Sequence, residues 1–205
     1  GNEGAGFTEI QCAYTSVVRW IHDEAANNPS AICATGNSGG SFQISYGLVL
    51  FGLDDILDLA IPTGGPPAGD VPDQCLNSSS LGSNQIKDYS FGFVGNGDYC
   101  VNHAEPGPWP DVPAEVLAYL DGQSLAPDDL TIPRDNQYPH TRVAFIEGEL
   151  DPDNTRRARK YYERITSEKS FVVLPRVTHG VHQSIAGAEA ITTELLTNCH
   201  DRAID

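Results

Sequence analysis

Apolar residues recur at regular spacing near both ends of the chain and thin out in its middle. Between 16 and 26, Val17, Trp20, Ile21 and Ala25 share one helical face, with Thr15 or Ser16 placed to cap the helix. Asn27, Asn28 and Pro29 interrupt that pattern, and the apolar run 31–34 has the length of a buried strand. The stretch Gly36-Asn37-Ser38-Gly39-Gly40 then turns the chain sharply into 42–51, whose unbroken apolarity predicts a buried helix. Residues 56–61 predict a second strand, closed by Pro62 and by Gly64-Gly65-Pro66-Pro67.

From 64 to about 140 the chain is rich in Gly, Pro, Asn and Asp, with one helix expected over 112–120. So long a connection inside one domain is expected to be a lid-like insertion or a substrate-site segment; its competitor is a stapled surface excursion with no part in chemistry. Regularity returns after Pro139. Residues 143–146 predict a strand, and 155–165 carry Ala158, Tyr161, Tyr162 and Ile165 at helical spacing. Residues 171–174 predict another strand, and Ile185, Ala188, Ile191 and Leu195 mark a closing helix. Strands alternating with helices imply parallel pairing with right-handed crossovers. The expected fold is α/β, a small open, mostly parallel sheet flanked by helices, in a single domain over 1–205.

Composition narrows the function. Twelve Lys and Arg against 28 Asp and Glu give a formal net charge of −16 among 205 residues. A nucleic-acid surface needs clustered cations, and only Lys87, Lys160 and Lys169 are lysines, so no nucleic-acid partner is expected. No apolar run is long enough for a membrane span. The absence of Met implies that Gly1 is not a translational start, so an upstream piece is expected to have been removed. Five cysteines show no zinc-ligand spacing, and neither a metal nor a cofactor is expected. Cys75 and Cys100, in polar surroundings, suit a loop-stapling bridge in an oxidising compartment, which favours a secreted protein. Cys33, inside an apolar run, is expected as a buried free thiol, while Cys12 and Cys199 are uncommitted.

In open parallel sheets, reactive groups collect just past the carboxyl ends of the strands. Three candidates fall there. Ser38 follows the first strand on a glycine-rich turn, and the next helix begins beside it with unpaired N–H groups. Asp151 follows the strand at 143–146 by way of Glu147-Gly148-Glu149-Leu150, and His179 follows the strand at 171–174. A serine hydroxyl is a poor nucleophile near neutral pH, so it needs an adjacent base, and that base needs a third group to fix its tautomer.

These motifs resemble the α/β-hydrolase superfamily from about Thr15 to Cys199. GNSGG is similar to the nucleophile elbow, EGELDP to the turn carrying the acid, and VTHGVH to the histidine loop. The resemblance implies a serine esterase with Ser38 as nucleophile, His179 as base and Asp151 as its orienting acid, with the Gly39 N–H in the oxyanion hole. It departs from the family at its start, where about fourteen residues replace several strands. The sheet is therefore expected to be reduced to about four strands, at 31–34, 56–61, 143–146 and 171–174, and the second oxyanion donor is unassigned. The segment around Gly4-Ala5-Gly6-Phe7 or a partner chain could supply it.

Other assignments compete within the site. Asp153 could replace Asp151 but is expected to cap the following helix. His182 is expected at the surface or behind the site, and His103 and His140 facing solvent. Trp109, between Pro108 and Pro110, is either a substrate platform or a packed lid residue. Nothing is drawn from Asn37, which stands where the family often has a histidine. The expected activity is hydrolysis of a small-molecule or polymeric carboxylic ester through an acyl-enzyme, with cutinase-like or polyester-degrading action within range. The alternative is a catalytically weak or inert hydrolase-like fragment that acts as a binding domain, and a thioesterase or amidase would share the triad.

Overall fold

The apolar runs become strands where they pair with a neighbour. In the computed structural model, which describes residues 7–25, 31–73, 118 and 121–199, four strands form one sheet. They are β1 (Cys33–Asn37), β2 (Leu59–Thr63), β3 (Arg142–Gly148) and β4 (Lys169–Leu174), in the order β1-β2-β3-β4, each parallel to the next. The described helices are α1 (Phe7–Trp20), continued by a π-helical turn Ile21–Ala25, α2 (Gly39–Phe51), α3 (Pro152–Arg164) and α4 (Ile185–Asn198).

Alternation along the strands sorts the core into two layers. Ala60, Val143 and Phe145 join residues of α1, α2 and α3 on one face, including Val18, Phe42, Ala158 and Tyr161. Leu59, Ile61, Ala144 and Ile146 meet Val177, Val181 and Ile191 of α4 on the other. Covering both faces is what a parallel sheet requires, and it explains why β2 is buried at every position. Helix α2 is buried from Ser41 to Val49 except at Gln43, so its even apolarity marks a central helix.

Strand limits move where pairing overrides composition. β1 starts at Cys33 and continues through the expected turn, because Gly36 pairs with Pro62 and Asn37 with Thr63. β2 passes through Pro62 instead of ending before it. Its ladder to β3 has partners at Leu59, Ala60 and Thr63 and skips Ile61 and Pro62, as a residue without an N–H demands.

The first helix corrects its expected face. Val17, Trp20 and Ile21 are 54, 59 and 41% exposed, whereas Gln11, Thr15 and Val18 are buried against α2. Helix α1 also starts well before residue 16. Thr15 lies inside it, buried, with its hydroxyl 3.5 Å from where a Cβ on Gly47 would sit. Arg19 completes the contact by donating to the carbonyls of Phe51 and Gly52 at 2.9 and 2.7 Å, at the carboxyl end of α2.

Both ends of the 64–140 stretch belong to the core. Ala68, Val71, Leu125 and Ala126 are fully buried, and Leu125 and Ala126 donate to Ala68 and Gly69. Cys75, Cys100, His103 and Trp109 lie outside the described residues, as does the helix expected over 112–120 apart from helical Ala118.

Cys33 is not a free thiol: it forms a disulfide with Cys199. The apolar run suggested an interior strand, yet among the described residues β1 is an edge strand and only half buried, so the end of α4 reaches its thiol. Cys12 is free and exposed.

Candidate active site

Ser38 stands between the end of β1 and the start of α2 with φ 55° and ψ −108°, a conformation that disfavours any side chain. Three bonds hold it there. Its N–H donates to Thr63 O at 2.9 Å, and its carbonyl accepts from Phe42 N at 3.0 Å and from Ser41 Oγ at 2.6 Å. Gly36 permits the turn, because a Cβ at that position would lie 2.5 Å from the backbone of Gly40. Gly39 is the first residue of α2, so its N–H has no intrahelical acceptor and is available beside the serine.

Asp151 and His179 meet. Nδ1 of His179 lies 2.6 Å from Oδ2 of Asp151, across the ends of β3 and β4. The acid is buried and the histidine side chain 42% exposed, the arrangement expected of a base that must reach a substrate while its partner stays dry. Burial by itself would raise the Asp151 pKa, but hydrogen bonds from His179 and Asn154 outweigh it and hold the carboxyl below its ordinary value. Nδ2 of Asn154 is 3.0 Å from each Asp151 oxygen and 3.2 Å from His179 Nδ1.

The histidine loop is fastened to the serine turn. Asn37 Oδ1 accepts from Val181 N at 3.2 Å and from Thr63 Oγ1 at 3.0 Å. Gly64, at φ 54°, passes between them so closely that a Cβ would lie 2.5 Å from His179 O. Gly65 N in turn donates to Glu147, whose carboxylate oxygens lie 3.0 and 3.3 Å away. Glu147 is fully buried. Desolvation pushes its carboxyl well above the ordinary range, the Gly65 bond opposes that, and the Asp151 charge adds to it.

Ser38 is thus carried to the same sheet edge as the Asp151–His179 pair, while no hydrogen bond joins its Oγ to the imidazole. Asp153 is turned aside, paired with Arg156 at 3.0 Å. His182 is exposed and lines an open depression of about 490 Å³ with Thr35, Asn37, Thr63 and Ile191. Asn154, Glu147 and Asn37 are the site residues that sequence reasoning missed. Asn154 alone had a legible signal, one helical turn after Asp151.

No protein-family model and no curated protein sequence matches the chain. Solved structures resemble it in shape. MenH from S. aureus is 14% identical with a TM-score of 0.50, covering 96% of this chain and 77% of its own. A carboxylesterase of the thaumarchaeon Nitrososphaera gargenis is 14% identical with a TM-score of 0.48, covering 95% and 73%. The Pyrococcus horikoshii acylaminoacyl peptidase is 10% identical with a TM-score of 0.47 over 95% of this chain, which spans 28% of the peptidase's length. At such identities the likeness is one of architecture. The likeness to MenH, together with four described parallel strands between helices on both faces, gives this chain a reduced α/β-hydrolase fold.

Proposed function

We propose that the chain is a serine hydrolase that cleaves carboxylic esters through an acyl-enzyme. The observation that supports this most is the 2.6 Å Asp151–His179 pair, fastened through Asn37 to the turn that carries a backbone-strained serine. In this reading His179 Nε2 takes the Ser38 proton as Oγ adds to the acyl carbonyl, and the negative charge moves onto the carbonyl oxygen. Asp151 holds Nδ1–H and stabilises the imidazolium. The Gly39 N–H donates to the oxyanion, a contribution worth about 2.7–4 kcal/mol per donor in enzymes of this type. Collapse expels the alcohol, which takes its proton from His179. Water then repeats the sequence on the acyl-enzyme and returns Ser38.

A finer reading, cutinase-like or polyester-degrading action, rests on the outward position of β1, which has no strand neighbour on one side among the described residues. Turnover confined to small soluble esters would count against it. The Cys33–Cys199 bridge supports a secreted protein.

The test is an active-site-directed organophosphorus probe. Labelling of the unaltered protein at Ser38, lost in Ser38→Ala, is the expected result. The missing Oγ–imidazole bond favours a second reading, a catalytically weak or inert hydrolase-like binding domain, and absence of labelling at neutral pH would support that reading instead. Matched ester, thioester and amide substrates separate an esterase from a thioesterase or an amidase.

A further inference from the structure

We propose that Asn154 is a positioning residue that keeps the Asp151 carboxylate turned toward His179. This rests on the hydrolase reading and adds a residue to it.

Asp151 occupies the N-cap of α3, where an aspartate side chain ordinarily accepts the N–H of the second or third helical residue. It makes no capping bond of good geometry, although the Asn154 N–H lies near enough to help lower its pKa. The other end of the same fold gives the comparison. Ser184, at the N-cap of α4, does accept from the third helical residue, Gly187 N, at 2.9 Å. At the third helical position of α3 stands Asn154, whose side-chain Nδ2 reaches both Asp151 oxygens at 3.0 Å. The amide makes the well-formed bonds to the carboxylate, and the oxygen facing His179 lies 2.6 Å from Nδ1.

The remaining half of the amide shows what this arrangement costs. Asn154 is 3% exposed and its Oδ1 is buried with no hydrogen-bond partner among the described residues. An unmet buried acceptor destabilises the folded chain. Flipping the amide would not help, since Oδ1 would then face the carboxylate. The polar partners of this side chain are the Asp151–His179 pair alone, so its burial serves them and not the packing of α3. The lowered pKa of Asp151 has the same origin in part, after His179 itself.

The experiment compares the full chain with Asn154→Leu, which keeps the volume without the donor, and Asn154→Ser, which restores a shorter donor. Three quantities are read: the deshielded Nδ1 proton of His179 by NMR, kcat and KM on a p-nitrophenyl ester, and the thermal midpoint. In Asn154→Leu the deshielded proton is lost, and kcat falls on the order of 10²-fold at unchanged KM, the scale set by a misplaced catalytic group. The midpoint holds or rises as Asp151 drops onto the helix end, and Asn154→Ser recovers part of both losses. Retention of the deshielded proton in Asn154→Leu overturns the proposal, as does a kcat loss that tracks a matching loss of stability in both variants. Failure of the unaltered protein to react with the organophosphorus probe would instead sink the hydrolase reading, and the proton resonance would still decide the role of Asn154.

Discussion

The N–H of Val181 donates to Oδ1 of Asn37 at 3.2 Å, so the loop that carries His179 is tied to the residue immediately before Ser38. Two segments 144 positions apart in the chain are thereby held together at one edge of the sheet. Replacing Asn37 with Leu removes this tie and the bond to Thr63 together. Loss of the Val181 tie alone, about 1–1.5 kcal/mol net, predicts a roughly five- to tenfold slower labelling of Ser38 by the organophosphorus probe. An unchanged labelling rate would show that the histidine loop is held without Asn37.

The strain at Ser38 predicts a trade between stability and reactivity. Its φ of 55° is disfavoured for serine and open to glycine. Ser38→Gly should raise unfolding stability by about 1 kcal/mol at unchanged m-value while abolishing labelling. Denaturant unfolding of the two proteins side by side gives the answer, and a less stable glycine variant would contradict it.

Glu147 should make the protein weaker as pH rises. Desolvation lifts its folded-state pKa well above the unfolded value, against the opposing bond from Gly65 N, and the nearby Asp151 charge lifts it further. Above about pH 4.3 the unfolded chain releases this proton while the folded chain keeps it, so stability falls until pH passes the folded pKa. Glu147→Gln retains an acceptor for Gly65 and has no proton to lose. Its thermal midpoint should match the parent near pH 4 and exceed it increasingly toward pH 8. A difference that does not vary with pH would refute the titration of Glu147.

Reduction of the Cys33–Cys199 bridge should be costly. It closes a loop with a sequence separation of 166, for which chain entropy sets a ceiling of about 5 kcal/mol. Unfolding in the presence and absence of a reductant measures the loss. A shift below about 1 kcal/mol would mean that the reduced, unfolded chain keeps the two ends together by other contacts.

The fold was legible because its strands and helices are short and cleanly patterned. The elbow, the acid turn and the histidine loop each sit at a strand end, and four strands appeared where four apolar runs were found. What stayed hidden depends on neighbours that a sequence does not display. Thr15 looked like a cap because threonine often is one, yet it is buried against Gly47, and the Val17, Trp20 and Ile21 stripe faces outward. Pro62 looked like a strand end but falls where the ladder to β3 has no bond to lose. Cys33 looked interior because its run is apolar, and only strand order reveals that β1 is an edge strand among the described residues. In the site, the serine, aspartate and histidine announced themselves by residue type. Asn37 and Glu147 act through side-chain geometry at long range, which residue type does not encode, and only the spacing of Asn154 from Asp151 was readable.

The bridge between the first strand and the end of the last helix has a topological consequence. Every residue from 34 to 198 lies within one covalent ring. A protease that cuts once anywhere in that ring, the insertion included, opens it without releasing a fragment. The severed molecule keeps its mass until a thiol reagent is added, and the ends bearing Ser38 and His179 stay tethered to one another.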